Sequence, residues 1–419
     1  MNCGLLGEKL GHSFSKEIHE ALGLYRYDLI ELPPAQLEAF LRAKRFDGLN
    51  VTIPYKQAVI PYLDELSPRA RAIGAVNTIV RRGDRLLGDN TDFGGLSALI
   101  ENMGLALGGK TVLICGTGGT SKTAAAVAGH LGAGAIYRLS RSARDGAISY
   151  EDAYQSHADA EVLIHTTPAG MYPDFSGLAV DLGRLPRLQG VVDVVYNPLT
   201  TRLVYEARQR GIPAENGLYM LVAQAVLAAR EFTGAALGTA EIDRIYQTQL
   251  RARRSLVLIG MPSSGKTTLG TLLETRLRRP LIDTDAEIVR RAGMPIPQIF
   301  AQHGEAYFRD LEAQVITELS TTGGQLIATG GGAILREENL RHLKQNGLLI
   351  WLDRPLEALL PTDDRPLAGS QAQLERLYHE RLPRYRAAAD LTLPVHGTPE
   401  QTADLLEAAV QSYTNLEPK

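Results

Sequence analysis

Ser255-Leu-Val-Leu-Ile-Gly-Met-Pro-Ser-Ser-Gly-Lys-Thr267 decides the fold of the C-terminal part of this chain. A short run of β-formers ends in Gly260, and Gly260-x-x-x-x-Gly265-Lys266-Thr267 completes a phosphate-binding pattern without a gap. A helical run, Leu269–Leu277, follows directly. A strand, a glycine loop and a helix in that order surround phosphate oxygens with free backbone N–H groups and the positive end of a helix. The expected nucleotide cradle is therefore Gly260, Ser263, Ser264, Gly265, Lys266, Thr267 and Thr268, with Lys266 on the outer phosphates. The Thr267 hydroxyl is expected at Mg2+.

Working outward, Leu281-Ile-Asp283-Thr-Asp285 reads as a second strand ending in two carboxylates. Alternate residues of a strand share a face, so both are expected to turn toward the phosphates. One would help hold the metal, and the other would orient or deprotonate an attacking hydroxyl. Gly330-Gly331-Gly332 follows an apolar strand. Three glycines there weaken packing unless something must approach the backbone closely.

Upstream, Thr111-Val-Leu-Ile-Cys-Gly116 is a second strand-then-glycine signal, continued as Gly116-Thr-Gly118-Gly119-Thr120-Ser and the helical run Lys122–Leu131. Such a loop admits a dinucleotide pyrophosphate. At the end of the next strand, Ile136–Ser140, a ribose-binding acid would mark NAD. Ser140, Arg141 and Ser142 stand there instead, with Arg144 close behind and no carboxylate before Asp145. A guanidinium grips a 2′-phosphate that an acid would repel, so the pattern favours NADP(H). Strands expected at 47–53, 75–80, 111–115, 135–139, 162–165, 190–195 and 255–259 alternate with helical segments. The fold class is α/β throughout, with parallel sheets and crossover helices. Gln247–Arg254 is polar and basic and reads as a linker, placed at 249–254, or as the end of a joining helix.

A chain of 419 residues exceeds one ordinary core, and 44% apolar with 22% charged residues is a globular composition. The net charge of -3 advertises neither nucleic acid nor membrane surface, so an anionic substrate must be met by a local cluster of Arg and Lys. Cys3 and Cys115 lie in apolar, strand-like runs and read as buried thiols, without a disulfide framework or zinc site. The first residues lack a signal-peptide pattern, and no stretch reaches the ~18 apolar residues of a membrane span. A cytoplasmic location is the expectation.

Four motifs then occur in an order that resembles the shikimate dehydrogenases: Gly11-His-Ser13-Phe-Ser15, Asn50-Val-Thr52-Ile-Pro-Tyr-Lys56, Gly74-Ala-Val-Asn77-Thr and Gly88-Asp-Asn-Thr-Asp92-Phe-Gly-Gly. The likeness covers nearly all of 1–248. It implies a substrate-binding domain at 1–96 and 225–248 and a Rossmann NADP domain at 97–224. It implies Lys56 and Asp92 as the catalytic pair, and Ser13, Ser15, Thr52, Asn77, Tyr196 and Gln224 on the substrate. Thr166, Val194, Gly217 and Met220 fall on the cofactor side, and His12 is read as structural. The chemistry agrees, because hydride addition to a ketone puts negative charge on oxygen, which a lysine ammonium both neutralises and protonates.

Residues 255–419 resemble a shikimate kinase, through the glycine loop, Gly304-Glu-Ala-Tyr-Phe-Arg309-Asp-Leu-Glu312, Ala328-Thr-Gly-Gly-Gly332, Asp364-Arg365-Pro-Leu and Glu380-Arg381-Leu-Pro-Arg-Tyr385. The resemblance implies Asp285, Arg309, Gly331, Gly332 and Arg381 on shikimate, Asp283 with Thr267 at Mg2+, and Arg365 from a closing lid over ATP. Paired arginines suit a small carboxylate, which they can clamp bidentately.

The two resemblances together imply a bifunctional enzyme that reduces 3-dehydroshikimate with NADPH and then phosphorylates shikimate with ATP. The alternative is a quinate/shikimate dehydrogenase joined to a non-catalytic nucleotide-binding module. Two stretches depart from family habit. Leu356–Asp364 has no Arg or Lys where a base-packing cation is usual, and Thr166-Thr167-Pro168 replaces a more usual small-polar run.

Overall fold

A computed structural model of the chain describes residues 1–11, 13–143, 146–361 and 366–416, which divide into two compact units. The first comprises residues 1–197 and 201–249; the second begins at Leu250 and takes in Pro198–Thr200.

The first unit holds two sheets. A six-stranded sheet runs in the order Arg26–Glu31, Asn2–Gly7, Gly48–Val51, Thr78–Arg82, Arg85–Asp89, Glu65–Leu66. Its first three strands are parallel, and Thr78–Arg82 pairs antiparallel on both sides. The second sheet is five-stranded and parallel, in the order Ala214–Glu215, Gly190–Asp193, Val162–His165, Thr111–Cys115, Ala135–Leu139. The chain reverses its direction of winding at Thr111–Cys115. Beyond the carboxyl ends of strands at such a switch point a crevice opens, and Gly116 stands at its edge.

The helices Thr91–Asn102 and Leu218–Thr233 pack together over Leu96, Leu99, Val222 and Val226, all buried in one core with Val112 and Ile114 of the second sheet. Gly95 permits the approach. A Cβ there would stand 2.7 Å from the Met220 carbonyl oxygen and 2.9 Å from Gln224 Cβ. One missing methyl thus sets the distance between the helix that carries Asp92 and the helix that carries Gln224.

The second unit is built on a five-stranded parallel sheet, in the order Leu281–Asp283, Leu326–Ala328, Ser255–Ile259, Gly347–Asp353, Leu391–Pro394. Every residue of the central strand Ser255–Ile259 is buried, as a strand covered on both faces requires.

Strands lie at 111–115, 135–139, 162–165 and 255–259 as the pattern predicts. Three expectations are corrected. Ala75–Asn77 is not strand, because the preceding helix closes on Gly74 at φ 70° and pairing resumes at Thr78. For Gln247–Arg254, of the two expected forms the helix end is the one found, in place of an irregular linker at 249–254: the segment closes the helix Thr239–Arg253, being free of Gly and Pro and ending in arginines that suit a helix C-terminus. Asp283 and Asp285 do not share a strand face. Asp283 ends the strand and caps the helix Thr284–Ala292, its carboxylate accepting from the N–H of Asp285 (2.9 Å) and Ala286 (3.2 Å).

Both cysteines are free and buried, and burial pushes the Cys3 thiol up to about 11. Among the described residues no helix is long and apolar enough to cross a membrane.

Gly95→Ala is expected to cost about 1–3 kcal/mol by forcing the two helices apart against backbone. A lower urea midpoint at unchanged slope would register it, and an unchanged midpoint would refute it.

Candidate active sites

At the switch point of the first unit lies a cleft. Gly116, Thr117, Gly118, Gly119 and Thr120 form one wall, Ser140 and Arg141 the next, and Thr166–Pro168 a third. Gly116 takes φ 114°, a conformation open to glycine, and a Cβ there would meet the Thr166 hydroxyl at 2.8 Å. A Cβ on Gly118 would meet nothing within 4 Å. The helix Gly119–His130 begins at this loop. A bare backbone turn, a helix N-terminus and an exposed Arg141 at the rim fit a dinucleotide with an extra phosphate. Of the expected cofactor residues, Ser142, Val194, Gly217 and Met220 are not in the cleft lining. Gly217 packs against Val194, where a Cβ would stand 2.1 Å from its carbonyl oxygen.

Lys56 also lines the cleft, and its ammonium meets the Asp92 carboxylate at 2.6 Å, with side chains 19% and 10% exposed. Sequence distance hides this pair, since 36 residues separate them. Asn90 caps the helix Thr91–Asn102 and ties it to the Ala75 carbonyl at 2.9 Å, which fixes Asp92 in the first turn. Asn77 is buried and held at its oxygen by the Thr91 N–H (2.7 Å), with its amide 3.5 Å from the Gln224 oxygen. The Ser13 and Ser15 hydroxyls lie 3.1 Å apart, and Phe14 between them in sequence meets the Tyr196 ring at 5.2 Å. Thr52 is anchored by its backbone to Leu6. His12 and Arg144 lie outside the described residues.

In the second unit the Lys266 ammonium is buried in its own loop, donating to the carbonyls of Gly260 (3.0 Å) and Met261 (2.8 Å). Ser263 takes φ 64°, and its hydroxyl donates to Leu360 at 2.7 Å. The Thr267 hydroxyl meets Asp283 at 2.7 Å. Two hard oxygens side by side at a phosphate loop fit Mg2+, whose remaining ligands would be phosphate and water. Among the described residues no cluster of three His, Cys, Asp or Glu groups could hold a metal alone.

Beside the loop is a pocket lined by Pro262, Asp285, Arg309, Glu312, Gly330–Gly332 and Arg381. Arg309 donates to Glu312 at 2.9 Å from one helix turn away. Burial works against the charge of Arg309, and Glu312 and Glu305 together more than restore it. Burial pushes the Glu312 carboxyl above its ordinary range, against the pull of Arg309. Arg381 is 4% exposed, and among the described residues its buried Nε–H has no partner. Such a donor fits an incoming carboxylate. The glycine run now has its reason. A Cβ on Gly330 would stand 2.6 Å from Asp285 Oδ1, one on Gly331 2.8 Å from Pro262 Cδ, and one on Gly332 2.4 Å from the Arg309 guanidinium. The groups that approach this backbone are the site's own side chains. Arg365 lies outside the described residues.

Two features escaped the sequence reading. Glu312 stood in a quoted motif, and its spacing of three from Arg309 on a helix was the available signal. The buried pair His165–Asp193, at 2.9 Å, had no local signal, because it joins the ends of two strands.

Residues 262–411 match a family model described as shikimate kinase, and residues 5–79 match one described as the shikimate dehydrogenase substrate binding domain. The chain is 40% identical over 256 residues to the shikimate dehydrogenase (NADP(+)) of Symbiobacterium thermophilum, which spans 54% of this chain and 86% of that protein. It is 38% identical over 274 residues to that of Geobacillus kaustophilus, spanning 60% and 98%. Among solved structures, it resembles shikimate 5-dehydrogenase from Thermus thermophilus in complex with NADP(H) and shikimate, at 31% identity and TM-score 0.52, over 59% of this chain and 98% of that one. A quinate dehydrogenase from Corynebacterium glutamicum in complex with NAD is similar at 31% and TM-score 0.53, over the same shares.

Gly332→Ala is expected to push Arg309 off Glu312 and weaken binding of the acid in the second pocket by about tenfold or more, the worth of a charge-assisted hydrogen bond. Calorimetry with shikimate would measure it, ATP affinity staying as in the wild type. Equal shikimate affinity would refute it.

Proposed function

The chain belongs to the shikimate dehydrogenase family and carries a shikimate kinase domain C-terminal to it, and on that premise we propose which residues perform its two reactions. It is a bifunctional shikimate-pathway enzyme: NADPH-dependent reduction of 3-dehydroshikimate to shikimate, then ATP-dependent phosphorylation of shikimate to shikimate 3-phosphate. NADP(H), ATP and Mg2+ are its cofactors.

The observation that carries the first assignment is the Lys56–Asp92 pair at 2.6 Å, whose lysine lines the dinucleotide cleft. Bound NADPH supplies the hydride. Lys56 places its ammonium at the ketone oxygen, neutralises the developing charge and gives up a proton there. Asp92 holds that ammonium in position, and a proton taken up from solvent through its carboxylate restores the lysine after it has given one to the alkoxide. Ser13 and Ser15 receive the substrate carboxylate, while Thr52, Asn77, Tyr196 and Gln224 orient the ring hydroxyls. We assign 1–96 and 225–248 to substrate binding and 97–224 to NADP binding, a division supported by the two separate sheets.

In the second unit Arg309 and Arg381 clamp the shikimate carboxylate, with the Gly331 and Gly332 backbone beneath the ring. Asp285 accepts the proton of the attacking hydroxyl. Lys266 leaves its loop carbonyls for the transferring phosphate, and Thr267 and Asp283 would hold Mg2+, which would neutralise charge on the phosphates. Arg365 is assigned to the lid on the resemblance alone. The similarity to a quinate dehydrogenase favours a second reading, in which the first site also takes the quinate-type acid. Comparing NADPH oxidation with 3-dehydroshikimate and 3-dehydroquinate separates the two, strict preference for the former excluding the second.

Lys56→Ala is expected to lower reduction by about 10²–10⁴-fold, the range for a lost general acid, and to leave shikimate phosphorylation intact. Lys266→Ala should do the reverse. Loss of both activities from either change would overturn the assignment of separate catalytic residues.

A further inference from the structure

We propose that His165 and Asp193 form a buried positioning pair that locks Thr167 in the wall of the NADPH cleft and so sets cofactor affinity, without touching the reacting atoms. The proposal rests on the NADPH reading of that cleft.

His165 ends the strand Val162–His165 and Asp193 ends its neighbour Gly190–Asp193, directly opposite in register. Their side chains are 1% and 0% exposed. The Asp193 carboxylate is gripped from three sides. His165 Nδ1 lies 2.9 Å from Oδ1, the Val195 N–H donates to Oδ1 at 3.0 Å, and the Thr201 hydroxyl donates to Oδ2 at 2.6 Å. A carboxylate only accepts, so the bond to Asp193 selects the tautomer with its proton on Nδ1, in which Nε2 is an acceptor. The Thr167 hydroxyl sits 2.5 Å from Nε2 and donates its single proton there. It accepts in turn from the Ala169 N–H at 3.3 Å.

This chain of bonds selects one rotamer of a β-branched side chain, which has few to choose from. With the hydroxyl turned inward, the Thr167 methyl faces the glycine loop, where a Cβ on Gly116 would stand 3.2 Å from Thr167 Cγ2. The adjacent Thr166 hydroxyl donates to the Cys115 carbonyl at 2.6 Å, and Thr166, Thr167 and Pro168 line the cleft together. The Thr-Thr-Pro stretch that departs from family habit is thus held from beneath by the ends of two strands. If Thr167 turns, its hydroxyl or methyl enters the space of the cofactor loop. The consequence falls on NADPH, since Lys56 and Asp92 make none of these contacts.

His165→Ala would leave Asp193 buried beside a cavity and endanger the fold, so the test uses Thr167 in the full chain. NADPH affinity is measured by fluorescence titration for the wild type, Thr167→Val and Thr167→Ser, with kcat and the KM for 3-dehydroshikimate alongside. Thr167→Val keeps the shape and loses the donor, and an affinity about tenfold weaker is expected, with kcat at saturating NADPH and the keto-acid KM within about twofold of wild type. Thr167→Ser restores the donor and should return the affinity to within about twofold. Unchanged NADPH affinity in Thr167→Val, or a keto-acid KM that rises in step with it, overturns the inference while leaving the NADPH reading standing. Failure of the wild type to bind NADPH overturns the reading and the inference with it.

Discussion

The cyclic acids and both nucleotides of this enzyme are anions, and the protein that must hold them has a net charge of -3. Attraction therefore has to be arranged locally. Both units arrange it in the same way, at the carboxyl ends of parallel strands, where a glycine turn exposes backbone N–H groups and a helix begins. Cationic side chains stand beside each turn: Lys56 and Arg141 line the first cleft, Arg309 and Arg381 line the second pocket, and Lys266 lies within the second loop.

Close approach is the second requirement, and it is met by leaving side chains out. Gly95 lets two helices touch, so that Asp92 and Gln224 come from elements of fixed spacing. Gly330 and Gly332 make room for the Asp285 carboxylate and the Arg309 guanidinium beside the phosphate loop. An added methyl at any of these places would meet a backbone oxygen or a charged group, neither of which yields cheaply. The charges so placed are expensive to bury. Arg309 and Glu312 stay ionisable neighbours at 2.9 Å because each offsets the cost of the other.

The two reactions fit one another chemically. Reduction makes a hydroxyl of the cyclic acid, and phosphorylation uses a hydroxyl of the same acid. The demands on the protein differ. The first reaction needs a proton delivered at one oxygen, the role proposed for the Lys56–Asp92 pair. The second needs charge spread over a phosphoryl group to be met, the role proposed for Lys266, Mg2+ and the arginines.

Local sequence determined whatever depends on neighbours in the chain. The phosphate loop at Gly260–Thr267, the glycine turn at Gly116, the strands beside them and the arginine at 141 are contiguous patterns, in which spacing and backbone freedom carry the meaning. Ordered motifs also pointed to Lys56 and Asp92. Only the tertiary structure decided that these two meet at 2.6 Å, that Asp285 leaves its strand for a helix capped by Asp283, and that His165, Asp193, Thr167 and Thr201 form one hydrogen-bonded chain. The reason is physical. A propensity or a turn is settled by a few adjacent residues, whereas an ion pair or a buried hydrogen bond depends on which strand ends and helix faces the packing of the core brings together.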